Sequence, residues 1–315
     1  MMHVDNHRYR VTDRLYRFSC QAAACVPLFL LATLIICMLW MSWPSLRAFG
    51  WHFLVSTSWN PSANDFGALP IIVGTLLSSV LALIIAVPSA FCVAILLVMM
   101  LPKSLSVILS RLIETMAAIP SIIYGLWGLF VLAPFLSTHV YPHWVNGFSS
   151  WPVVSFIFRG IPIGTTLFTA GIVLALMVFP LIASMMRDVI AAIPPLVSEA
   201  SFGVGLSRYQ VVRRIYIHYA RAGLLGSIVL GLGRALGETM AVTFVIGNAH
   251  GMPQGLLMPG TTISSTIANE FTEAMGQLYI SSLIELGLIL FVIALISLVI
   301  SRQIMRHSLI RGGSQ

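Results

Sequence analysis

Between Phe66 and Pro102 the chain carries no charged residue. About twenty apolar residues already cross the ~30 Å hydrocarbon core of a bilayer, so a run of this length cannot be the buried helix of a soluble domain. It is too short for two passes. We read it as one long, tilted span at 68–101, with Pro88 as the expected kink. The remainder agrees with a chain solvated by lipid: 58% of the 315 residues are hydrophobic and 9% charged, against roughly 25% charged in a soluble domain. The expected class is an all-α, polytopic membrane protein.

The other expected spans are 22–41, 112–136, 163–186, 222–248 and 281–301, which places both termini on one side. A body at 22–301 then lies between an N-terminal segment, 1–21, and a tail, 302–315. The first run comes after Arg8, Arg10, Arg14 and Arg17. It is longer than a signal-peptide core and lacks a small-residue cleavage site, so it reads as an uncleaved span. Apart from Arg47, Arg159 and Arg234, every Lys and Arg lies in the N-terminal segment, the 102–111 turn, the 187–221 loop or the tail. Positive charge favours the cytoplasmic side. Both termini are therefore expected in the cytoplasm, in a bacterial inner membrane. Trp43, Trp51, Trp59, Trp144 and Trp151 fall in the opposite loops, as an interfacial aromatic belt requires. The segment from Ala249 to Ile280 has neither Lys nor Arg and is expected at the outer face.

Several function classes drop out. The net charge of +7 is spread over short loops and does not form a basic patch with interleaved aromatics, so no nucleic-acid partner is expected. The single lysine, Lys103, stands outside any Gly-x4-Gly-Lys-Ser/Thr pattern, so an ATP-driven process needs an ATPase on another subunit. Cys20, Cys25, Cys37 and Cys92 lack paired spacing and read as packing residues. His139 and His143 are four apart, but Pro142 is expected to interrupt the helix that would align them, and no metal site is assigned. No serine–histidine, paired-aspartate or His-Glu-x2-His arrangement supports an intramembrane enzyme. A secondary anion transporter or channel is the remaining rival, and it would not need a polar docking loop.

The chain has such a loop. Glu199 to Arg221 is EASFGVGLSRYQVVRRIYIHYAR between two apolar runs. Its order is Glu199-Ala200-Ser201, three residues, Gly205, nine residues, Ile215, then Tyr216-Ile217-His218. Glu199–Gly203 and Tyr209–Tyr216 suit two short helices joined at Gly205. The bland alternative is an amphipathic surface loop whose arginines meet lipid phosphates. The spacing resembles the cytoplasmic Glu-Ala-Ala loop of ABC importer permeases, with Ser201, Ile217 and His218 in place of that family's Ala, Leu and Pro. The resemblance implies a type I importer permease fold with cytoplasmic coupling helices. It also implies that Glu199, Ala200, Gly205, Arg208 and Ile215 dock an ATPase.

Arg234 is the one basic residue near the middle of a span. Burying it there costs from about 3 kcal/mol on insertion scales to more than 10 by simulation, so it needs compensation. Glu238 lies four residues on, one turn along the same helical face, and can pair with it. Such a pair is either structural or the means by which the guanidinium fork is held ready for an oxyanion. Gly231, Gly233 and Gly237 form a thin helix face, most simply for close packing. The run Gly231-Leu-Gly-Arg-Ala-Leu-Gly-Glu238-Thr-Met-Ala-Val-Thr243 resembles the permease subunits of phosphate ABC importers. So do Phe49–Leu54, Trp59-Asn-Pro61, Phe66–Pro70, Gly74-Thr-Leu and Ala117–Gly128. The continuation Thr239-Met-Ala-Val favours one of that importer's two paralogous permeases. The resemblance implies a phosphate path through Arg234 and Glu238 and no catalysis in this chain. It further implies a second permease subunit, an ATPase dimer carrying ATP and Mg2+, and a periplasmic phosphate-binding protein. A phosphonate or sulfate importer is the neighbouring alternative.

Overall fold

The computed structural model describes residues 6–147, 159–161 and 163–310. Among these, six helices are long and apolar enough to cross a membrane. The first, α1 (Asn6–Phe49), is far longer than its expected span and runs through Pro27 and Pro44. After a small hairpin pairing Trp59–Asn60 with Asp65–Phe66 comes α2 (Leu69–Ile95), prolonged by a π turn, Leu96–Met100. Next in order are α3 (Lys103–Ala117), α4 (Ser121–Val145) and α5 (Leu167–Ala191). A short helix, α6 (Pro195–Gly203), leads to α7 (Arg208–Gly237), and beyond it lie α8 (Met240–Val245), α9 (Ile263–Glu270) and α10 (Gln277–Ile310). Trp151, expected in the aromatic belt, lies outside the described residues.

Helix α5 is the hub. Lipid tails are as apolar as leucine, so membrane helices associate through close packing rather than hydrophobic exclusion, and small residues set the approach. On α2 the ladder Ala82, Ala86, Ala90 and Ala94 is buried at helical spacing in the core shared with α5. A side chain on Gly171 of α5 would collide with Leu81 of α2. Gly223 and Gly231 of α7 meet Val189, and Ile182 and Val178, of α5 in the same way, which seats α7 two turns deep on it. Outward-facing residues such as Phe29, Trp40 and Phe130 are instead exposed, as a lipid-facing surface allows.

Proline placement shifts two expected boundaries. Pro120 starts a new helix after a turn at 118–120, so the run from Leu112 is divided and the third crossing is Ser121–Val145. Its ring removes the N–H that would continue the α3 ladder. Pro142, by contrast, does not stop α4, contrary to expectation. The π segments Gly128–Leu132 and Leu136–Val140 shift the hydrogen-bond register and carry the helix on. His139 stacks on Phe135 and shares a 2.6 Å hydrogen bond with Thr138. Glu285 lies about one turn inside the expected 281–301 span, where water access would be the simple expectation, yet it is enclosed. It is 3% exposed, covered by α1, with the Ser45 hydroxyl reaching its carboxyl and Ser45 also bonded to Ser282.

The segment after α8 folds back instead of capping the surface loosely. Thr261, Thr262, Ser264, Ser265 and Thr266 are buried, and the Ile263 N–H donates to Thr75 Oγ1 at 2.9 Å. Gly74 lets the Thr261 carbonyl lie against α2 where any Cβ would overlap it. Glu270 then ties four elements together. It accepts from Trp59 Nε1 (2.9 Å) of the hairpin, the Tyr279 hydroxyl (2.6 Å) of α10 and His250 Nε2 (2.7 Å) of the connecting loop. Burial raises the Glu270 pKa, but the donations from His250, Tyr279 and Trp59 outweigh it, and the carboxyl is held below its ordinary 4.5. A lowered folded pKa stabilises the native state above the unfolded value, and that gain is lost as pH falls through the folded one. The purified protein should therefore lose thermal stability on acidification below about pH 4.5. Glu270→Gln should be less stable at neutral pH and lack this acid-side component. Identical pH profiles for the two proteins would contradict the assignment.

Candidate docking and translocation sites

The docking face is made of turns rather than packing. Proline at the start of α6 suits a first helical turn. Gly205 ends the connection at φ +85°, a left-handed conformation natural to glycine. Helix α7 opens with a capping box. The Ser207 side chain accepts from the Gln210 N–H, and the Gln210 side chain accepts from the Ser207 N–H at 2.8 Å. The expected pair of short helices about Gly205 is thus present, with the second continuous with the span. His218, where the resembled family has proline, sits inside α7. A π turn at Val212–Tyr216 precedes it, with no break.

On this face Glu199, Ala200, Gly205 and Arg208 are exposed, and Ile215 is half-buried against the core. Leu196, Phe202, Val204 and Tyr209 are exposed beside them, at 74%, 43%, 79% and 68%. Exposed apolar residues with charged neighbours, at a helix pair leading straight into a span, have the character of an interaction surface. Sequence spacing identifies the glycine and glutamate. The apolar contributors escape it because any one of them also reads as a core residue.

The candidate translocation residues are arranged differently from the expectation. Helix α7 ends at Gly237, and Glu238 is extended, at φ −71° and ψ 128°. Arg234 and Glu238 therefore do not share a helical face, and among the described residues no ion pair joins them. Each charge is compensated by a helix end instead. Arg234 occupies the last turn of α7, where the partial negative charge of the carbonyl end favours a cation. Glu238 accepts from the Ala241 N–H at 3.3 Å in the first turn of α8. Helix α7 stops at Gly237 and the Glu238 carboxylate meets the first turn of α8, and a local pattern of apolar residues does not reveal this break. The expected fifth span to Asn248 is a broken one.

Arg234 Nε is buried and has no hydrogen-bond partner. Tyr124 of α4 lies close enough for the guanidinium charge to act on its ring, and the Tyr124 hydroxyl donates to the Met116 carbonyl at 2.9 Å. The hydroxyls of Thr239 and Thr243 bond backbone carbonyls, as membrane hydroxyls commonly do. Of the three glycines read as packing residues, only Gly231 packs within this chain. Gly233 and Gly237 have nothing within 4 Å of a would-be Cβ. They leave open space beside the backbone that flanks Arg234. An arginine with a buried, unpaired Nε among the described residues, next to open backbone, can present its planar fork to an oxyanion.

A family model described as "Binding-protein-dependent transport system inner membrane component" matches residues 86–311. The chain is 47% identical to the phosphate transport system permease protein PstC of Mesorhizobium japonicum, over 98% of this chain and 94% of that one. It is 46% identical to the protein of that description from Haemophilus influenzae, over 92% of each. Its backbone is similar to a chain of the inward-facing methionine ABC transporter MetNI. The TM-score is 0.52, covering 77% of this chain and 94% of that one. At 18% identity this last likeness is one of fold.

Proposed function

The chain belongs to the binding-protein-dependent transport system inner membrane component family, and from that premise we propose that it serves as a permease subunit of an ATP-driven phosphate importer. It is a multi-pass inner-membrane component and not the catalytic subunit. Its system includes an ATPase and a binding protein. The α6–α7 face lies in the cytoplasm together with both termini, since the basic residues gather there. It docks one protomer of an ATPase dimer that carries ATP and Mg2+. A second, similar permease lies along the open backbone of α7, and a phosphate-binding protein delivers cargo at the opposite face.

The observation that carries the path assignment is the unpartnered Arg234 guanidinium at the end of a broken span. Phosphate brings several charged oxygens, which match the fork bidentately and offset its desolvation. Glu238, fixed as the cap of α8, keeps a negative charge near by without occupying the fork. It limits how tightly an anion is retained, and release needs that limit. Sulfate and phosphonate offer similar oxygens, so discrimination among oxyanions falls to the binding protein. The test is reconstitution of the complete complex in vesicles. ATP-dependent phosphate uptake that excess sulfate does not suppress is expected. Uptake without ATP, or sulfate as the better cargo, would overturn the proposal.

A further inference from the structure

The sequence Ala-Ala-Ile-Pro occurs twice, at 117–120 and 191–194, and the chain builds the same elbow from both. In the first, α3 ends on Ala118 at φ −84° and ψ −10°, and α4 starts from Pro120 at φ −56° and ψ 135°. In the second, α5 ends on Ala192 at φ −74° and ψ −8°, and α6 starts from Pro194 at φ −57° and ψ 135°. The isoleucine N–H bonds back to Met116 in one and to Ile190 in the other, and each proline carbonyl accepts from the residue three on, Ile123 or Val197.

Three residues before each elbow stands an acid, Glu114 in the first copy and Asp188 in the second. Arg187 binds both. Its Nη1 lies 2.9 Å from Glu114 Oε1, and its Nη2 and Nε lie 2.6 Å and 3.0 Å from Asp188 Oδ1. The arginine side chain is 18% exposed between carboxylates that are 52% and 67% exposed, so the guanidinium is the sheltered centre of the joint. The second elbow leads into the docking helix α6. The first leads into α4, where the Tyr124–Met116 hydrogen bond braces the turn and Tyr124 is within reach of the Arg234 charge.

We propose that Arg187 is a positioning residue that yokes the two elbows. Displacement of α6 by the ATPase then passes through Glu114 and α3 to Tyr124 and Arg234. This rests on the docking and path roles assigned under the proposed function. A planar fork holding two carboxylates at set angles transmits direction as well as force, which a flexible ammonium does less well.

The experiment uses the complete complex in vesicles, with phosphate uptake and ATP hydrolysis read on the same sample. Arg187→Gln should keep the ATPase bound and hydrolysing while uptake per ATP falls about tenfold, a loss in keeping with one or two charge-assisted hydrogen bonds. Glu114→Gln should do the same, because it breaks only the link between elbows. Arg187→Lys should recover part of the coupling. Exchanging the charges, Glu114→Arg with Arg187→Glu, again sets one arginine between two carboxylates and should restore most of it. Unchanged uptake per ATP in Arg187→Gln and Glu114→Gln would overturn the proposal. So would hydrolysis and uptake falling in step in every variant, the exchanged pair included, which is the mark of a purely structural contact. Should Arg187→Gln fail to assemble, the half-exposed Glu114→Gln decides alone. Gly205→Asp separates this proposal from the reading beneath it. If that variant uncouples while Arg187→Gln does not, the yoke fails and docking stands; if Gly205→Asp has no effect, docking itself fails.

Discussion

Arg234→Gln is expected to abolish phosphate uptake while the complex assembles normally. The guanidinium lies at the break of the fifth span, in the last turn of α7, and glutamine offers neither its charge nor its fork. Losing two charge-assisted hydrogen bonds to an oxyanion removes about 3–4 kcal/mol, or more than 100-fold, from anion binding along the path. Assembly should survive because the arginine leaves nothing behind. Among the described residues no carboxylate depends on it, and its Nε has no partner to orphan. The same logic makes Glu238→Gln milder, since a glutamine oxygen still accepts from the Ala241 N–H and keeps the α8 cap. Uptake of radiolabelled phosphate, alongside quantification of the purified complex, reads both. Normal uptake by Arg234→Gln removes it from the path, and equal losses in the two variants would mean that they act as a pair after all.

Gly205→Asp should release or uncouple the ATPase. The residue sits at φ +85°, where an L side chain costs about 1–2 kcal/mol of backbone strain. That strain falls on the turn that sets the angle between α6 and α7. Space within the chain is not the obstacle, because nothing lies within 4 Å of the added Cβ. The span should therefore insert normally while the docking face is misaligned and gains a negative charge near Glu199. Gly203→Ala is the contrast: it also has open space, and it lies within α6 with no positive φ. Co-purification of the ATPase and its stimulation by the permease should drop several-fold in Gly205→Asp only. Equal co-purification in both would place docking elsewhere.

The loop at 199–221, the candidate docking element, is legible in the sequence because its determinants are local. Proline at a helix start, a glycine between two short helices and a serine–glutamine capping box each act within four residues. The spans are legible because hydropathy is summed over a window that the bilayer itself sets. Arg234 stands out for the same reason. Its relation to Glu238 is not legible, because helical periodicity predicts partners only while the helix continues. The burial of Glu285 is not legible either, because its neighbour Ser45 is far away in sequence, on α1.

Residue order alone is enough to set out six segments long and apolar enough to cross a membrane, to confine most basic residues to the stretches between and beyond them and to lay out a turn-rich polar loop. Those properties are sums or short-range rules. The packed molecule adds that the arginine span breaks at Gly237, that Gly74 admits a carbonyl from a loop beyond α8 and that Arg187 joins two copies of one elbow. The last two depend on which distant backbone arrives beside a given residue. In lipid that is settled by close packing of small residues around α5, where no periodic pattern announces the neighbour.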